Sequence, residues 1–154
     1  MISGASCAAE FRKEIRAVLE GAEQFELLSI NPDRRAPKAS DNFHGWNVLG
    51  RTTVKDANIR KKLVAAFRKG VEENDGVVAA CFNPRHGIRA TFEGKSVDLV
   101  ICFECFQTEV YAGGFSSERK LLNTNSPEPA FDGVLKAASV PLARDLEKSL
   151  KRKN

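Results

Sequence analysis

The sequence predicts an α+β fold: a bent antiparallel sheet, running as a meander, with helices packed on one face. Two observations lead there. Residues 77–112, VVAACFNPRHGIRATFEGKSVDLVICFECFQTEVYA, alternate apolar and polar positions in short runs separated by turn formers, the pattern of three or four antiparallel strands. The flanking stretches instead place apolar residues at helical spacing. At 154 residues, the length fits a single domain, 1–154, able to bury most of its apolar surface.

Taken in order, Phe11, Ile15, Val18, Leu19 and Ala22 follow an i, i+4, i+7, i+8 pattern and predict an amphipathic helix ending near Gly21. Cys7 lies one turn before Phe11 and reads as a small core residue. Phe25–Ile30 is a short apolar strand stopped by Asn31-Pro32. Residues 33–45 form a polar loop that includes His44, and Trp46–Thr52 is a second strand. Thr53 and Asp56 have capping-box spacing. The helix they start has Ile59, Leu63, Val64, Phe67 and Val71 as its apolar arc. Asn74-Asp75-Gly76 turns the chain into the sheet.

Within 77–112, Glu93-Gly94-Lys95-Ser96 marks a hairpin. A tip at Gly94-Lys95 sets Phe92 opposite Val97, Ala90 opposite Leu99 and Ile88 opposite Ile101. The loop Asn83–Gly87 then brings Phe82 opposite Ile88. One face collects Val78, Ala80, Phe82, Ile88, Ala90, Phe92, Val97, Leu99, Ile101 and Phe103, and this face is the expected core. The other face carries Val77, Ala79, Cys81, Arg89, Thr91, Asp98, Val100 and Cys102. The apolar phase switches between Val97–Phe103 and Phe106–Val110, which predicts a bulge or bend at Cys102–Cys105. Beyond a Gly- and Ser-rich loop, Lys120-Leu121-Leu122 is a short edge strand. Ser126-Pro127 opens a helix carrying Phe131, Val134, Leu135 and Ala138. Leu142, Leu146 and Leu150 suggest a last turn or two, and residues from about 144 to 154 read as a frayed basic tail.

Net charge is +4, but residues 34–69 hold ten Lys or Arg against Asp41 and Asp56, a local +8. A solvated helix face accounts for most of this. Nucleic-acid binding ranks below it, because exposed aromatics for base stacking are sparse. No run approaches the roughly 20 apolar residues of a membrane span, and the first residues lack a signal-peptide core. A cytoplasmic protein with no membrane partner is expected, unless a leader precedes position 1.

The stretches Cys81–Arg89 (CFNPRHGIR) and Val97–Cys105 (VDLVICFEC) resemble segments of small hypothetical bacterial proteins of uncharacterised function. The likeness runs from about Val48 to Ala143. It implies one compact domain and no particular chemistry. The architecture as a whole is broadly cystatin-like, a comparison that implies no shared function.

Three cysteines and His86 gather at one end of the expected sheet. Cys102 and Cys105 have Cys-x-x-Cys spacing, and Cys81 with His86 would complete a Cys₃His zinc set. The same cysteines could form a thiol-redox pair, although no helix starts at Cys102 to lower a thiolate pKa. They could equally be small buried fillers. Phosphate-loop, nucleophile-elbow and His-Glu-x-x-His templates are absent from the sequence, so the reading leans away from an enzyme. Two function classes follow. One is a non-enzymatic binding or interaction module, free of cofactor, for a protein or a small anionic ligand. Its working end is the Asn83–Gly87 loop, with Arg85, His86, Arg89 and Glu104 as binding residues. The other is a metal or thiol-redox site built from Cys81, His86, Cys102 and Cys105, with zinc as the metal.

Overall fold

The computed structural model describes residues 4–112 and 119–153, with side chains described for 13–112 and 120–153. The chain runs α1 (Gly4–Gly21), β1 (Gln24–Asn31), β2 (Asn42–Phe43), β3 (Trp46–Thr53) and α2 (Ala57–Glu73). It continues through β4 (His86–Phe92), β5 (Lys95–Cys102), β6 (Gln107–Ala112), β7 (Arg119–Leu122), α3 (Glu128–Ala137) and α4 (Ala143–Arg152). The strands form one antiparallel sheet in the order β2-β3-β1-β4-β5-β6-β7, curled into a half-barrel with helices on one side. The α+β expectation is met.

The helix-side core takes Phe25 and Leu27 from β1, Ile88 and Ala90 from β4, Val97, Leu99 and Ile101 from β5, and Val110 from β6. Leu19, Leu63, Phe67, Phe131 and Leu135 meet them from the helices. A second apolar cluster, Leu28, Ile30, Phe43, Trp46, Val48 and Val100, covers part of the opposite face. That face was expected to be half polar, and the β2–β3 hairpin lies across it. Glycine is required where the hairpin lands: a Cβ on Gly87 would come within 3.1 Å of both Ile30 Cδ1 and Phe43 Cε1.

Several local expectations change. The β4–β5 tip is Glu93-Gly94, with φ of 49° and 77°, so Phe92 pairs with Lys95 and Ile88 with Leu99. The register therefore moves by two residues. Parity is kept, and of the expected core face Ile88, Ala90, Val97, Leu99, Ile101 and Phe103 are buried there, with Phe92 partly buried.

Residues 77–82 do not form a strand. β4 has two edges, and β5 and β1 occupy them, leaving no place for a further strand. Val78 is accordingly 48% exposed, Ala80 is exposed, and Phe82 packs near Trp46 on the other face, with centroids 6.0 Å apart.

Asp56 is itself the N-cap of α2, accepting from the Asn58 and Ile59 N–H groups, and Ile59 stays 37% exposed. Where a frayed tail was expected, Ala143–Arg152 is helical. Cys7 and Phe11 lie outside the described side chains.

Replacing Leu99, which is 0% exposed and central to the helix-side core, by alanine should cost about 2–5 kcal/mol in urea unfolding. Val78→Ala should stay within about 0.5 kcal/mol. Equal losses at the two positions would contradict the observed pairing.

Candidate functional site

Period-two alternation along β5 sends Val97, Leu99 and Ile101 to the helix side and Val100 and Cys102 to the other. The strand ends at Cys102, residues 103–106 make a turn, and Gln107 pairs back with Cys102. Phe106 adopts φ 62° to close it. The irregularity expected at Cys102–Cys105 is thus a hairpin turn and not a bulge within one strand. It brings the two cysteines together: they are joined as a disulfide, with Cα atoms 5.2 Å apart, inside the usual bridging range. Both are 0% exposed.

Residues 77–85 cover this turn. The Ala79 N–H donates to the Cys105 carbonyl at 2.9 Å, and the Ile30 N–H donates to the Arg85 carbonyl at 3.0 Å. Gln107 Nε2 donates to the carbonyls of Ala79 and Cys81, each at 3.3 Å. The Asn83 residue touches both sulfurs: its N–H points at Cys105 Sγ at 3.3 Å, and its carbonyl oxygen lies 3.3 Å from Cys102 Sγ. Cys81, in the same segment, is an exposed free thiol.

Arg85 ties the cover down. Its Nη1 lies 2.9 Å from Glu104, between the two cysteines. Its Nε and Nη2 donate to the two Glu147 oxygens at 3.0 and 3.3 Å. Burial pulls the guanidinium pKa down, but the hydrogen bonds to Glu147 and Glu104 more than offset it, leaving it above its ordinary value. Arg144 of α4 donates to Glu128 at 2.7 Å and stands 3.9 Å from Glu104.

His86 belongs to the opposite side of the sheet. It pairs with Ile101, so its ring faces the helices, with Phe103 at 5.0 Å and Phe131 at 6.1 Å between centroids. Its Nε2 is 2.7 Å from Asp132 Oδ1 of α3. The expected Cys81–His86–Cys102–Cys105 zinc tetrahedron is therefore not assembled. Among the described residues, the group whose potential ligand atoms lie within 4.8 Å of one another is Cys102, Glu104 and Cys105. Glu104 replaces His86 because it sits inside the turn itself.

The expected binding residues each meet carboxylate or cationic partners within the chain. Besides Arg85, His86 and Glu104, Arg89 donates to both Asp98 oxygens at 3.0 and 2.9 Å. An anionic ligand at this end would have to displace a carboxylate. On the same outer face, His44 Nε2 lies 2.8 Å from Asp98 Oδ2, and its ring stacks on Tyr111 at 3.7 Å. Of the basic α2 residues, Arg68 pairs with Glu20 and Glu72, and Lys69 with Glu73. A cavity of about 930 Å³ opens between α1 and α2, lined by Leu19, Val64, Phe67, Val71 and Leu121.

Asp132, Arg144 and Glu147 were not singled out from the sequence. Their partners lie far away along the chain, Arg85 and Glu147 being 62 residues apart, and no local pattern marks such a pair.

Two outcomes check this geometry. Asp132→Ala leaves the buried His86 ring without its partner and should cost about 1–3 kcal/mol, with Asp132→Asn costing less. Tyr111 is the single tyrosine, so ultraviolet titration reads it directly. Burial, then the hydrogen bond to Glu109, push its phenol up to about 12. The folded state holds this proton more tightly than the unfolded chain, whose tyrosine titrates near 10, so stability should fall as pH rises between roughly 10 and 12. Ionisation near pH 10 in the folded protein would contradict the contact.

No protein-family model, no curated protein and no solved structure matches the chain.

Proposed function

We propose that this protein is a non-enzymatic interaction domain whose working segment, residues 77–85, is governed by a reversible thiol–disulfide pair, Cys102 and Cys105. One observation carries the reading: the backbone N–H of Asn83 contacts Cys105 Sγ and its carbonyl contacts Cys102 Sγ. In the dithiol form the Cys102 S–H can donate to the Asn83 carbonyl, while Cys105 keeps the Asn83 N–H. In the disulfide form the S–H donor is gone, and the carbonyl faces a sulfur with no proton. The cover therefore makes a different set of contacts in each state.

The burial of both cysteines favours a switch over an enzyme that turns over large disulfide substrates, and among the described residues no helix begins at either cysteine. The cover itself offers the contact surface: Val77 and Val78 are 57% and 48% exposed, and Cys81 is exposed beside them. In a cytoplasmic setting, cellular thiols keep most cysteines reduced, and a disulfide there is typically transient and sensing. The step balances as Cys102–S–S–Cys105 plus two thiols of a low-molecular-weight or protein dithiol reductant, giving two cysteine thiols and the reductant's disulfide.

A second reading rests on the 4.8 Å grouping of Cys102, Glu104 and Cys105. The reduced pair would hold a thiophilic cation such as zinc, with Glu104 as third ligand once released from Arg85. The same preparation tests both. Alkylation with iodoacetamide in denaturant should label Cys81 without reductant, and the peptide carrying Cys102 and Cys105 only after reduction, by two groups. On reduction of the native protein, amide exchange in residues 79–85 should fall, because the dithiol form adds the Cys102 S–H bond to the Asn83 carbonyl. Full labelling of that peptide without reductant would contradict the switch. Stoichiometric zinc in the reduced protein would favour the metal reading.

A further inference from the structure

Of the other features, the cavity between α1 and α2 has rim charges that pair with one another, Arg16 with Glu20 and Arg68 with Glu20 and Glu72. Nothing there selects an occupant. The Cys-x-x-Cys turn is different, because one of its two middle residues, Glu104, is charged and engaged elsewhere in the fold.

We infer that the redox state of Cys102 and Cys105 controls how firmly α4 is held against the domain, with Glu104 and Arg85 as the coupling residues. This inference rests on the thiol–disulfide reading above. Glu104 sits between the two cysteines, so its position is set by the turn the disulfide closes. Its carboxylate meets Arg85 at 2.9 Å and Arg144 of α4 at 3.9 Å. Arg85 in turn grips Glu147 of α4 through two nitrogens. Arg85 also lies two residues beyond Asn83, the residue that touches both sulfurs. Turn, cover and helix thus meet at one guanidinium.

The apolar hold on α4 is weak beyond its first residues. Leu142 and Ala143 are buried at 7% and 3% exposure, whereas Leu146 and Leu150 are 39% and 57% exposed. Beyond the first turn, which Leu142, Ala143 and Arg144 hold, the helix depends on Arg85–Glu147. Reduction converts the bonded sulfurs to two thiols, which need more room, so the turn widens and carries Glu104 with it. The Arg85 bridge then loses one or both carboxylates. α4 loosens from its C-terminal side.

Hydrogen exchange followed by mass spectrometry, on the full chain in disulfide and dithiol forms, tests the coupling. Amides of residues 146–152 should exchange about tenfold faster after reduction in the unaltered protein. In Glu104→Gln they should exchange faster already in the disulfide form and respond little to reduction, while the thiol count still rises by two. Arg85→Lys, which keeps the charge and loses the two-nitrogen grip on Glu147, should behave in the same way and guards against a folding defect in the first variant. Unchanged α4 exchange alongside a thiol count that rises by two would overturn the inference and leave the switch reading intact. A thiol count that does not rise would overturn the reading itself.

Discussion

The strand parity of β5 is the constraint from which the rest follows. A residue on this strand faces either the helices or the opposite side, and neighbouring residues never share a face. Ile101 is committed to the helix-side core at 0% exposure, so Cys102 must point away. His86, opposite Ile101, goes with the core and pairs with Asp132. The sheet thereby separates the histidine from the sulfurs, and the chemistry that looks like one cluster in the sequence becomes two. One is a buried His–Asp contact that fixes α3. The other is a sulfur pair beneath an irregular cover.

The cover is held by polar contacts together with Phe82, which packs on the outer cluster beside Trp46. Its two valines face solvent, and it is seated by backbone hydrogen bonds to Cys105 and Ile30 and by the Arg85 side chain. Taking a guanidinium largely out of water is costly and is recovered only where its carboxylates are well placed. Arg85, at 14% side-chain exposure, meets two. Such an arrangement adds little net stability compared with apolar packing, yet it is specific, because any shift of Glu104 or Glu147 leaves the charge under-compensated. A segment of this kind suits a switch better than a scaffold.

The sequence made the helices and most strands legible because their periodicities are local. Leu63, Val64 and Phe67 on α2, or Val97, Leu99 and Ile101 on β5, announce their faces by spacing alone. The core face was readable even with the hairpin tip misplaced by one position, since moving the register by two preserves parity. Residues 77–82 misled because their composition is strand-like while their fate was decided by competition: β1 occupies the β4 edge they would need. The phase switch at Cys102–Cys105 correctly marked an irregularity. Whether that meant a bulge or a turn depended on where β6 pairs, which is a tertiary fact. The partners of Arg85 and His86 lay beyond sequence reasoning because Glu147 and Asp132 reach them only through the packing of α4 and α3.

The central claim is that Cys102 and Cys105 form a reversible couple and not a permanent staple. Equilibrating the protein in dithiol buffers of graded potential, with the Cys102–Cys105 peptide quantified by mass, measures this directly. A reversible couple gives one two-electron transition within the span of cellular thiol poise, roughly −320 to −180 mV. A pair that stays bonded far below that range, or that never closes at its upper end, would contradict it.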